Sequence, residues 1–124
     1  MIKTVQMGEK ELQFSTSFAW VFIYKSQFGK DPAQILLPAV RDLQGADEES
    51  AGYTLMERLG FSGVTEISWA MARLADKKTP DPEAWIASLG DDFDMMELVT
   101  EVLPEAIESC FTTKKSGAPI PPEK

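Results

Sequence analysis

A mainly α-helical fold, with an amino-terminal β-hairpin packed on a compact bundle of four to six helices, is what the sequence predicts. Three observations carry it. Apolar and polar residues alternate over residues 3–15, and after that the apolar spacing changes to three and four residues. Asp31-Pro32 and Asp81-Pro82 each read as a helix start: a carboxylate caps, and a proline sits in the first turn, where its missing N–H leaves nothing unpaired. Over residues 64–76 apolar side chains surround nearly the whole helical wheel, with charge only at Glu66, Arg73 and Asp76. In water such a helix needs cover on most sides, which makes it the central element, with Trp69 largely buried.

Each element has its own local signal. In the hairpin Val5, Met7, Leu12 and Phe14 share one face across a turn at Gly8-Glu9-Lys10. A lone hairpin is marginal in water, so it should lie on helices. Its outer edge offers a pairing site, which keeps self-association open. Ser15-Thr16-Ser17 supplies N-caps for a helix over residues 18–28 that stops at Gly29. The helix after Asp31-Pro32 buries Ile35, Leu36, Leu37, Val40 and Leu43, and Pro38 should kink or divide it. An acidic loop over residues 46–50 leads to a helix carrying Tyr53, Leu55, Met56 and Leu59, and Gly60 and Gly63 bracket a break before the central helix. Trp85, Ile86 and Leu89 mark the helix after Asp81-Pro82. Asp94 with Glu97 reads as a capping box for the last helix, which Pro104 should bend or split. Residues 1–111 thus read as one α-rich domain, and residues 112–124 as a disordered proline-rich tail.

Composition removes several functions. The 124 residues carry a net charge of −8, which opposes approach to nucleic acid or to an anionic membrane surface. No apolar run reaches a membrane span, and the first residues lack a signal-peptide core, so a cytoplasmic protein is expected. There is no histidine, hence neither the commonest general base nor the commonest metal ligand. Cys110, the single cysteine, lies on an apolar stripe and reads as an inert buried thiol. The cluster Asp91-Asp92-Phe93-Asp94 fails as a calcium loop, with Met96, Glu97 and Leu103 where ligands or glycine belong, and helix capping explains it better. No cofactor, metal site or catalytic constellation is expected, and the chain reads as a non-enzyme.

Taken in serial order, several segments resemble the tail assembly chaperones of long-tailed (siphovirus-type) bacteriophages and prophages of Gram-positive hosts. The resemblance runs over residues 3–102. It rests on the hairpin, Phe14 and Ser17-Phe18-Ala19, then Tyr24-Lys25-Ser26-Gln27-Phe28-Gly29-Lys30-Asp31. Ile67-Ser68-Trp69-Ala70-Met71-Ala72, Ala75-Asp76, Pro80, Trp85 and Asp92-Phe93-Asp94 complete it. It implies a small helical protein of the host cytoplasm, absent from the mature virion. Its partner would be the tape-measure protein, kept soluble during tail assembly, with the tail-tube protein as a second partner. It implies no catalytic residues. From the residues themselves, the aromatic block Phe18, Phe22 and Tyr24 is the first candidate partner-binding face, and Met95 and Met96 the second, since aromatic and methionine side chains suit adaptable contacts. Two other readings stand beside this one: an acidic adaptor or inhibitor occupying a basic groove on a partner protein, and an enzyme with a carboxylate pair.

Overall fold

The computed structural model describes residues 1–111, and the expected tail over 112–124 lies outside the described residues. The fold is mainly helical, with an amino-terminal antiparallel hairpin packed on helices. Strands β1 (Ile2–Met7) and β2 (Lys10–Ser15) pair with Val5 opposite Leu12 and Lys3 opposite Phe14. The alternation sets one face inward: Val5, Met7 and Phe14 are buried and Leu12 is half-buried. β2 lies against the long helix α3 (Glu48–Ala75), and Phe14 meets Trp85 edge-on at 6.3 Å between ring centroids.

Helix α1 (Trp20–Phe28) starts later than its serines suggest. Ser17 still holds the entry, its hydroxyl accepting from the Ala19 amide and its carbonyl from the Trp20 amide. Gly29 closes the helix in the left-handed region at φ 75°. Trp20, Tyr24 and Phe28 recur every four residues and form an aromatic file that continues to Trp69 of α3, with centroids 6.3, 4.8 and 5.7 Å apart in turn. The Trp20 indole N–H donates to Ser109 Oγ at 2.9 Å, tying α1 to the last helix.

Helix α2 (Ala33–Leu43) begins as its sequence signal requires, with Asp31 Oδ1 accepting from the Ala33 amide. It runs undivided through Pro38. The buried side chains on either side, Leu36 and Ala39, hold it against α3 across the one missing N–H. Asp47 caps α3 by accepting from the Ser50 amide at 2.8 Å, so most of the expected acidic loop is already helix. Gly60, at φ 76° and ψ 167°, breaks α3 into two arms, as expected, whereas Gly63 is buried and helical. In the second arm Val64, Ile67, Trp69, Ala70 and Met71 are buried, and α1, α2, β2 and the carboxy-terminal helices pack against α3. The central-helix reading therefore holds.

Helix α4 (Pro82–Leu89) leads through a 3₁₀ turn (Gly90–Asp92) to a run of three joined segments. These are a short α-helix α5 (Met95–Glu97), a π-helical turn (Leu98–Val102) and helix α6 (Leu103–Phe111). Asp94 caps the run by accepting from the Met96 amide. The expected bend at Pro104 takes the form of the π turn just before it, with the Leu103 N–H reaching back five residues to the Leu98 carbonyl.

Tyr24 sits at the middle of the aromatic file, and burial, with the adjacent Glu66 carboxylate, pushes its phenol up to about 12. An unfolded tyrosine ionises near 10, so between these values the unfolded state binds fewer protons and stability falls as pH rises. Urea midpoints from pH 9 to 12 should therefore drop more steeply for the wild type than for Tyr24→Phe. Parallel profiles would contradict the placement of this hydroxyl.

Candidate functional site

The residues singled out as a binding face are separated by the structure. Phe18 and Phe22, one turn apart, stand edge-to-face at 6.2 Å and are 49% and 66% exposed. Tyr24 is 0% exposed and leaves the face. The helical period explains it: Tyr24 follows Trp20 by four residues and shares its inward side, whereas Phe18 and Phe22 share the outward one. Met95 is half-buried and packs against the core, while Met96 is 42% exposed. Met96, but neither Phe18 nor Phe22, is among the residues lining a groove beside α3.

This groove lies between the first arm of α3 and the run from α5 to α6. One hollow, about 510 Å³, is lined by the buried Gly52, Leu55 and Val99, with the exposed Tyr53, Met96 and Pro104 beside them. A second, about 460 Å³, shares Ala51, Leu55 and Pro104 with the first and extends it to Leu43 and Ile107. Glu49 and Glu101 stand at the first hollow and Glu105 and Glu108 at the second, and among the described residues no lysine or arginine lines either. Lys3 reaches in from β1 to pair with Glu101 at 3.3 Å. Tyr53, 65% exposed, was placed by sequence among the apolar residues of its helix. Its phase could have told otherwise: Gly52, Leu55 and Leu59 form the inward stripe at three- and four-residue spacing, and Tyr53 falls beside it.

Elsewhere the chemistry is structural. Asp92 Oδ1 accepts from the Glu9 amide and Oδ2 from Lys10 Nζ, both at 3.2 Å, so the carboxylate clamps the hairpin turn. The Glu9 amide, then Lys10, hold it below the usual carboxylate range. The acidic cluster therefore does two jobs: capping by Asp94, as expected, and a long-range clamp by Asp92. Burial pushes the Cys110 thiol up, which disfavours the reactive thiolate. Among the described residues no three His, Cys, Asp or Glu side chains are grouped to hold a metal ion. No described helix is long and apolar enough to cross a membrane. The sequence matches no protein-family model, and no curated protein or solved structure shows significant similarity to it.

Proposed function

We propose that this protein is a non-catalytic tail assembly chaperone that keeps an apolar, tape-measure-like partner soluble in the host cytoplasm until tail-tube subunits assemble round it. The observation that carries the reading is the exposure of large apolar side chains, Phe18, Phe22, Tyr53 and Met96, on a chain of net charge −8. Such side chains can meet many apolar segments by burial, while the charge keeps the loaded protein dispersed. The serial resemblance supplies the partner class. The acidic-adaptor reading draws on the same charge, but the exposed aromatic pair gives it no support.

Coexpression with a long tape-measure-type protein encoded beside it tests the proposal. The partner should move from the aggregated to the soluble fraction. Phe18→Ser with Phe22→Ser, or Tyr53→Ser with Met96→Ser, should reduce the rescue. All four positions are exposed, so each change should alter stability by only about 0.5 kcal/mol. A partner equally insoluble with and without this protein would end the chaperone reading.

A further inference from the structure

We infer that α3 is a hinged helix: Gly60 passes from its bent conformation into the helical one, and residues 30–59 swing off the run from α5 to α6 as a single flap. The inference stands apart from the chaperone reading. Two glycines mark the hinge, and each is needed by the bend alone. Gly60, at φ 76° and ψ 167°, stands out of helical conformation within the 28 residues of α3, in a region that only glycine occupies at low cost. A Cβ at Gly60 would meet nothing within 4 Å, so backbone conformation and not space is what requires glycine there. Gly63 has the opposite character. A Cβ there would come within 3.0 Å of Leu59 Cβ, whereas Cβ atoms four residues apart in a continuous helix stand about 5–6 Å apart. The bend thus presses the first arm onto the second where glycine leaves room. In a straight α3 both positions would favour alanine.

What the hinge carries is already a unit. Arg58 of the first arm pairs with Asp42 of α2, so the two helices travel together. At its other end the flap leaves α1 through Gly29, also left-handed and with open space where a Cβ would stand, so a joint of the same kind lies at each end. Beneath the flap the fit is incomplete. A Cβ at Gly52 would meet nothing closer than Val99 Cγ1 at 3.6 Å, and the hollows of about 510 and about 460 Å³ separate flap from base as the described residues line them. Contacts missing from the closed form cost nothing to break, so opening demands less than unfolding the second arm, where Val64, Ile67, Trp69 and Met71 are at most 1% exposed. Lifting the flap uncovers Leu43 and Leu55 on its underside and Val99 and Ile107 on the base, apolar surface that the closed form largely keeps from water.

Thiol labelling of the full chain tests the hinge, in a Cys110→Ser background so that a single thiol is present at a time. Val99→Cys places the thiol under the flap, and Val5→Cys places a matched one on the buried face of the hairpin. The Val99→Cys thiol should react about tenfold faster than the Val5→Cys thiol, with a shallower dependence on urea, since opening exposes less surface than unfolding. Gly60→Ala strains the closed form and suits the straight helix. It should therefore speed labelling of Val99→Cys about a hundredfold and of Val5→Cys only about tenfold. Gly63→Ala, which would crowd Leu59 only in the bend, should act in the same direction. Circular dichroism should show no loss of helix in either variant, because the flap swings without melting. Equal labelling rates and urea slopes for the two thiols overturn the inference, as does equal acceleration of both by Gly60→Ala. Faster labelling of Val99→Cys with a fall in helical signal also overturns it, since the first arm then melts instead of swinging. Where Gly60→Ala does not fold, the two thiols in the otherwise unchanged chain and in Gly63→Ala carry the same comparison.

Discussion

Trp69→Ala is expected to cost about 3–5 kcal/mol of stability, read as a lowered urea midpoint at unchanged slope. The side chain is 1% exposed at the end of the file Trp20–Tyr24–Phe28–Trp69, with Phe28 edge-on against it. Its indole N–H donates to the Pro80 carbonyl at 2.6 Å, which pins the loop between α3 and α4. The Arg73 guanidinium lies 5.2 Å from the ring centroid and donates to the Thr79 carbonyl, so the same ring steadies a second tie to that loop. Truncation leaves a cavity and orphans a carbonyl together. A loss below about 1 kcal/mol would place Trp69 at the periphery and contradict the central role of α3.

Gly8→Ala is expected to cost about 2–4 kcal/mol, although it adds a single methyl group at an exposed turn. Two effects coincide. Gly8 has φ 64°, a left-handed conformation that residues with a Cβ resist. A Cβ placed there would also come within 2.2 Å of Asp92 Oδ1, the oxygen that accepts from the Glu9 amide. The substitution must therefore displace the carboxylate that holds the hairpin on the 3₁₀ turn. A double-mutant cycle separates the effects: the Asp92 Cβ would itself lie 2.8 Å from the added methyl, so the background is Asp92→Gly, in which Gly8→Ala should retain only the conformational cost, about 1–2 kcal/mol. Equal costs in the two backgrounds would show that hairpin and turn do not meet as described.

Much of the fold is local and so was legible in the sequence. Alternation up to Ser15, the Asp31-Pro32 and Asp81-Pro82 starts, the Asp94 cap and the break at Gly60 each depend on a few neighbouring residues, although Asp81 makes no side-chain cap bond and Pro82 alone marks that start. Pro38 and Pro104 were less legible, because a helix can carry a proline straight through or widen into a π turn, and the packing of Leu36, Ala39, Leu98 and Val102 settles which. The Asp92 clamp joins residues more than eighty positions apart and has no local signature. The candidate site was half legible. Phe18, Phe22 and Met96 emerge at the surface, and Tyr24 was misplaced because a dense aromatic run was read as one face instead of divided by the helical period. The groove needs two helices remote in sequence, so neither stripe alone discloses it.

The most direct measurement is light scattering as a purified tape-measure-type partner is diluted from denaturant, with and without an equimolar amount of this protein. At both about 0.05 M and about 0.5 M salt the wild type should suppress aggregation to a similar degree, since apolar burial is not screened as exposed charge is. Tyr53→Ser with Met96→Ser should suppress it less at both. Unchanged scattering, or protection that vanishes at high salt, would contradict a chaperone that works through apolar contact.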